Sequence, residues 1–284
     1  MPSRIITANS LRFHILEEGE GPLMVMLHGF PDFSYTWRYQ IPALSVAYKV
    51  VAPDLRGYHL SDKPPRVNDY NIQHLVEDVV QIIRAAGAEN ACVIGHDWGG
   101  VIAWALASLR PEIVNKLVII NAPHPDGMRN ALLRGNLRQW LRSWYIFFFQ
   151  IPWLPEQVIG SHRFFEKVFL KEYANPSTLR AEDIPPYVHA YERADTRRAT
   201  VNYYRAAFRQ IFAGRVYYPP VKAPVLVLWG ERDRALGKEL TYPMPGYCEN
   251  SCKIIYEPES GHFLHHDKPD WVNRHILDFV NDTK

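Results

Sequence analysis

Residues 91–106 read ACVIGHDWGGVIAWAL. An unbroken apolar run over 91–94 gives way to GHDWGG (95–100), and then to apolar residues at helical spacing, Val101, Ile102, Ala103 and Trp104. A short apolar run bounded by glycine reads as a buried strand, and the periodic stretch after it as a helix. Gly95, Gly99 and Gly100 are the small residues that a sharp strand-to-helix turn needs, because the backbones approach closely there. A turn of this kind throws its central side chain out of the sheet. The central residue is Asp97, at a position where many enzymes carry a nucleophilic serine.

Working outward, the same grammar covers most of the chain. Residues 4–7 and 12–16 read as a hairpin, and the apolar runs at 23–27, 49–52, 117–120, 225–229 and 253–256 read as buried strands. Helix-length segments lie between and beyond them, at 35–44, 72–86, 99–109 and 271–280, with apolar residues three and four apart. Alternating strands and helices predict an α/β fold, a mostly parallel eight-stranded sheet with helices on both faces. Residues 126–218 break the rhythm. They carry helical pattern dense in aromatics and no buried-strand signature, bracketed by Pro123 and Pro125 on one side and Pro219 and Pro220 on the other. The expected organisation is a core of residues 1–125 and 219–284, with a helical cap domain, 126–218, inserted in it.

The 284 residues, 47% apolar and 22% charged, suffice for one large domain with an insertion. A balance of 32 basic against 30 acidic residues, net +2, offers no electrostatic attraction for nucleic acid or a membrane surface. No stretch has the length of apolar residues that a membrane span needs, and the first residues lack a secretory pattern, so a cytoplasmic location is expected. Cys92, Cys248 and Cys252 have neither disulfide-like nor zinc-like spacing.

Three residues that follow predicted strands carry chemistry in a fixed order. Asp97 comes first, WGERD (229–233) ends at Asp233, and SGHF (260–263) contains His262. Nucleophile, acid, histidine is the chain order of the α/β-hydrolase triad. HGFPD (28–32) follows the strand at 23–27, where such folds supply one backbone N–H to an oxyanion hole. The donors would be the N–H groups of Phe30 and Trp98. His262, His265, His266 and Asp267 lie close in sequence, but no second pair of ligands stands at zinc-like spacing, so no metal is expected.

The set HGFPDFSYTWR (28–38), DLRGYHLSDKP (54–64), GHDWGG (95–100), NAPHP (121–125), GERD (230–233) and GHFLHHDKP (261–269) spans nearly the whole chain. It resembles the epoxide hydrolases of the α/β-hydrolase fold. Haloalkane dehalogenases share the aspartate followed by tryptophan, so the cap must separate the two activities. In epoxide hydrolases two cap tyrosines hold the epoxide oxygen, and SWYIFFFQIP (143–152) and VNYYRAAFR (201–209) match those segments with Tyr145 and Tyr204. Tyr203 takes the place of the usual tryptophan. Haloalkane dehalogenases commonly carry an Asn where Phe30 stands. The related fluoroacetate dehalogenases carry arginines where Trp98 and Val101 stand, and an acid at the position of Asn121.

The resemblance implies an epoxide hydrolase with Asp97 as nucleophile, His262 as base, Asp233 as its acid partner, and Tyr145 and Tyr204 on the epoxide oxygen. It also implies that no cofactor is needed. Trp144, Phe149 and Phe263 are the expected pocket residues, and the expected partners are an apolar small-molecule epoxide and water. A haloalkane dehalogenase using the same aspartate is the alternative enzyme. A non-catalytic ligand receptor on this scaffold would not need a complete triad and both tyrosines.

Overall fold

A computed structural model of the chain describes residues 1–134, 136–174, 181–213 and 216–282. Its strands are β1 (Ser3–Ala8), β2 (Leu11–Glu18), β3 (Leu23–Leu27), β4 (Lys49–Pro53), β5 (Ala91–His96), β6 (Val114–Ile120), β7 (Val225–Gly230) and β8 (Cys252–Glu257). They form one eight-stranded sheet in the order β1-β2-β4-β3-β5-β6-β7-β8. Only β2 runs antiparallel to its neighbours β1 and β4; every other pairing is parallel. This is the α/β-hydrolase fold.

The apolar runs of the central strands are continuous because both faces of the sheet are covered. Side chains alternate across a strand, so Leu23, Val25 and Leu27 of β3 enter one core while Met24 and Met26 enter the other. Val93 and Ile94 of β5 divide in the same way, as do Val227 and Leu228 of β7. The helix Trp98–Leu109 is apolar on nearly every side, and Ile102 to Leu106 are fully buried. A helix with so little polar surface must be interior, and this one packs against β3, β5 and β6. The segment expected as one helix at 35–44 is instead a 3-10 turn, Ser34–Tyr39, followed by a short α-helix, Ile41–Leu44. Pro42 has no N–H to continue the ladder and so divides the two.

Among the described residues between β6 and the isolated bridge at Val221 there is no strand. The helices there include Pro125–Leu133, Trp144–Phe148, His162–Glu172 and Ala194–Ala213. Gly135, residues 175–180 and residues 214–215, which the sequence also assigns to a cap, lie outside the described residues. No helix among the described residues is long and apolar enough to cross a membrane.

The strand order decides where chemistry can occur. Loops leaving the carboxyl ends of parallel strands collect along one edge, and β3, β5, β6, β7 and β8 are consecutive neighbours in the sheet. The loops after them begin near Gly29, Asp97, Asn121, Asp233 and His262. Close approach of the Trp98–Leu109 helix to the end of β3 is what Gly99 permits, since a Cβ there would overlap the Leu27 carbonyl. Gly99→Ala should therefore destabilise the fold by about 3 kcal/mol, read from the shift in urea midpoint, while Val46→Ala at an exposed site leaves the midpoint in place.

Candidate active site

Asp97 is held in a conformation that side chains rarely adopt, φ 49° and ψ −121°, between β5 and the Trp98–Leu109 helix. Strain of this kind persists only where the surroundings over-determine it. Here the strand and helix are fixed by the buried core, and Gly29 opposite lacks the Cβ that would collide with the Asp97 side chain. The carboxylate thus stands clear of the sheet edge. Its Oδ1 accepts a hydrogen bond from the Phe30 N–H at 2.8 Å. Trp98 is the first residue of the helix, where an N–H has no intrahelical acceptor.

His262 faces the other carboxylate oxygen. Its Nε2 lies 3.6 Å from Asp97 Oδ2, an ion-pair distance longer than a hydrogen bond. Its Nδ1–H donates to Asp233 Oδ2 at 2.8 Å. Asp233 is in turn fully engaged: Oδ1 accepts the Ala235 and Leu236 N–H groups at 2.9 and 2.8 Å, and Oδ2 also accepts Asn121 Nδ2 at 2.8 Å. Burial alone would push His262 toward neutrality, but the Asp233 and Asp97 carboxylates outweigh it and raise the imidazole well above its ordinary pKa. For Asp97, burial works upward, and His262 together with the Phe30 N–H outweighs it, holding the carboxyl below its ordinary value. Both shifts favour an imidazolium beside the two carboxylates over a neutral imidazole.

Tyr145, on the helix Trp144–Phe148, and Tyr204, on Ala194–Ala213, meet with their rings perpendicular at 5.9 Å. With Asp97 they line one cavity of about 170 Å³, whose wall is otherwise mostly apolar, including Leu75, Val101 and Phe208. Burial, then the charge of Asp97, pushes both phenols well above their ordinary pKa, so both stay protonated. Tyr203 also lines the cavity, but its hydroxyl is already engaged, donating to the Arg56 carbonyl at 2.7 Å.

The three expected pocket residues fall differently. Trp144 is 63% exposed and lies outside the cavity. Adjacent helical residues diverge by about 100°, so turning Tyr145 inward turns Trp144 out. Phe149 and Phe263 are buried beside the site and do not line the cavity. Phe149 packs on Tyr204 and Phe30, with centroids at 4.6 and 5.5 Å, and Phe263 sits edge-on to His262 at 5.3 Å.

Sequence reasoning missed several supports. Asn121, noted only as uncharged, clamps the β7 turn by donating to Asp233 and by accepting the Gly230 N–H at 2.9 Å. His96 donates to the His262 carbonyl at 2.9 Å and packs on its ring at 4.8 Å; burial pushes its pKa down to about 3, so it is neutral. Glu172, at the end of the helix His162–Glu172, accepts the His262 N–H on its carbonyl at 3.2 Å. The histidine-rich run does not converge as a ligand set: Asp267 accepts the Gly261 N–H at 2.9 Å, while His262 faces Asp97. Asp32, His265 and His266 do bring potential ligand atoms together. Both nitrogens of His266 are engaged, by Tyr173 and Thr36, and Arg38 Nη1 lies 3.5 Å away, so a cation there would meet a guanidinium.

A family model described as alpha/beta hydrolase fold matches residues 22–269. The chain is 38% identical over 283 residues to the AB hydrolase superfamily protein YfhM of Bacillus subtilis (strain 168), covering 98% of this chain and 97% of that one. It is 37% identical over 287 residues to Epoxide hydrolase 4 of Homo sapiens, covering 98% of this chain and 78% of the relative. Among solved structures, the Bacillus megaterium epoxide hydrolase in complex with an inhibitor matches with a TM-score of 0.87 at 31% identity, over 98% of this chain and 100% of that chain. A mutant of the Bacillus megaterium enzyme complexed with its diol product matches with a TM-score of 0.88 at 32% identity, over the same shares.

The Asn121 clamp generates a test. Asn121→Ala leaves the Gly230 N–H and one site on Asp233 without partners inside the protein, so it should lower stability by about 2 kcal/mol. Differential scanning calorimetry at neutral pH reads this as a drop in Tm of several degrees, whereas an unchanged Tm would show that the clamp is idle.

Proposed function

The chain belongs to the epoxide hydrolases of the alpha/beta hydrolase fold, and from that premise we propose that it converts an epoxide to a vicinal diol through a covalent ester on Asp97. One observation carries the reading: an ionised Asp97 and two protonated phenols, Tyr145 and Tyr204, share one apolar cavity, with the His262–Asp233 pair at the far oxygen of the carboxylate. A carboxylate already ionised at neutral pH needs no base to attack a saturated carbon. What it needs is a partner for the oxygen that leaves. The alkoxide released from an epoxide is strongly basic, and a phenol is acidic enough to protonate it as the C–O bond breaks.

The two oxygens of Asp97 divide the work. Oδ2 attacks the epoxide carbon, while Oδ1, held by the Phe30 N–H, becomes the ester carbonyl. The epoxide oxygen takes a proton from Tyr145 or Tyr204. Esterification removes the negative charge of Asp97, which had helped to raise His262, so the imidazole gives up its proton and restores the phenol. Neutral His262, oriented by Asp233, then deprotonates a water that attacks the ester carbon. The resulting oxyanion on Oδ1 is met by the N–H groups of Phe30 and Trp98. Collapse expels the diol oxygen, which is reprotonated by His262. The Asp97 carboxyl then ionises, and its proton restores the imidazolium. The mainly apolar wall fits an apolar epoxide, and residues 126–218 act as the cap domain that carries both tyrosines over the core.

His262→Gln should form the ester and stall, giving an intact-mass increase equal to one substrate; a variant that turns over at the normal rate, or carries no adduct, contradicts the scheme. Tyr145→Phe and Tyr204→Phe should each lower kcat/KM by about 100-fold, and unchanged rates in both would remove the tyrosines from the reaction. The pH dependence has a definite order. Ester hydrolysis needs neutral His262 and is lost as pH falls through its pKa in the ester form. Alkylation needs only ionised Asp97, whose pKa is lowered, and persists to more acidic pH. Rapid-quench measurements below neutrality should thus find more ester at steady state than at higher pH.

A further inference from the structure

Two helices that wall the cavity, Pro125–Leu133 and Trp144–Phe148, are joined by a third, Leu137–Arg142. On its inner side Gln139 is fully buried and fixed: its amide donates to the Ala235 carbonyl at 2.9 Å, and its Oε1 accepts the Gly237 N–H at 3.0 Å. A bond from the Ser143 N–H to the Gln139 carbonyl at 2.8 Å carries the helical turn onward. Leu137, Leu141 and Trp144, four and three residues apart, therefore share the face opposite that anchor. Leu137 is 71% exposed and Leu141 70%, and exposed Trp144, Trp140 and Leu133 extend the apolar surface. Trp140 is itself pinned, its Nε1–H donating to the Leu132 carbonyl at 2.6 Å and its ring stacked on Phe147 at 4.8 Å. These anchors hold the apolar face in solvent, and contiguous exposed apolar surface marks an interaction site.

We propose that this surface docks on an anionic phospholipid bilayer. The near-balance of charge over the whole chain hides a local excess: residues 127–155 hold four arginines and no lysine, aspartate or glutamate. Arg142 lies 3.6 Å from Glu239, whereas Arg134 and Arg138 are exposed and pair with no carboxylate among the described residues. A helix with leucine and tryptophan on one face and arginine beside them is the pattern that lies flat in a lipid–water interface. Its apolar face sinks toward the acyl chains and its guanidinium groups stay at the phosphates. Tryptophan suits that depth because its ring is apolar and its N–H polar. A second copy of the chain is the other occupant that an apolar face could take. A twofold contact presses the same patch against itself, and across an acid-free segment every charged pair would be repulsive, so the bilayer fits better.

The test is flotation of the full chain with vesicles of phosphatidylcholine alone, or of equal parts phosphatidylcholine and phosphatidylglycerol, read together with tryptophan emission. The wild type should float with the anionic vesicles, its emission shifting to the blue, and should bind the neutral ones far more weakly. R134Q/R138Q should lower the partition coefficient on anionic vesicles about fivefold per arginine, and L137E/L141E should leave the protein in the aqueous phase. All four positions are exposed, so both variants should keep the wild-type urea midpoint. A wild type that stays in the aqueous phase, or an L137E/L141E protein that keeps its midpoint and still floats, would overturn the proposal. If the two glutamates lower the midpoint, R134Q/R138Q decides alone, and undiminished binding overturns it. Analytical ultracentrifugation supplies the last arm: a wild-type dimer that L137E/L141E converts to a monomer would assign the surface to a second copy and overturn the proposal.

Discussion

The strained backbone of Asp97 is the constraint on which the rest of the site depends. A residue at φ 49° and ψ −121° would relax unless both of its neighbours were immovable. On one side β5 is buried along its length, and on the other the Trp98–Leu109 helix is enclosed by the core. The sheet and its central helix thus hold a turn that aims a carboxylate into a cavity, where the Phe30 N–H fixes one of its oxygens. In the proposed reaction rigid placement matters because attack on a saturated carbon demands alignment, and an aligned reactant has already lost the freedom that the transition state would otherwise take from it.

Electrostatics supplies the second half of the account. The Asp233 and Asp97 carboxylates raise the pKa of His262 and so favour an imidazolium, which cannot accept a proton. In the proposed scheme esterification consumes the charge of Asp97 and changes that, so the first chemical step prepares the base for the second. The arrangement depends on Asp233 remaining an acceptor, which its hydrogen bonds from Ala235, Leu236 and Asn121 ensure. Helices between β6 and β7 reach the same centre from the other side: they bring two phenols into the cavity, and the Glu172 carbonyl holds the His262 backbone.

Much of this was legible in the sequence because it is encoded locally. Continuous apolar runs marked the parallel strands, and the order Asp97, Asp233, His262 placed each residue just past a strand that the topology makes a neighbour. The tyrosines were legible only through resemblance, since nothing in their spacing distinguishes Tyr204 from Tyr203, which lines the same cavity but commits its hydroxyl to the Arg56 carbonyl. What the sequence hid depends on contacts between distant segments. Asn121 stood out only as a position where related dehalogenases carry an acid, yet its amide donates and accepts at once and ties β6 to the β7 turn. Glu172 acts on His262 through its backbone, which leaves no side-chain signature. Trp144 illustrates a different limit: an aromatic-rich stretch reads as pocket lining as a whole, but helical geometry lets only some of its residues face inward.

The central claim is that the oxygen added to the substrate comes first from Asp97 and only later from water. It is tested most directly by a single turnover, with enzyme in excess over a simple epoxide, in water enriched in the heavy oxygen isotope. The account predicts that the diol from this first turnover carries ordinary oxygen and that the label appears in the peptide containing Asp97. Label in the first diol, with none in that peptide, would mean that water attacks the epoxide directly and would contradict the account.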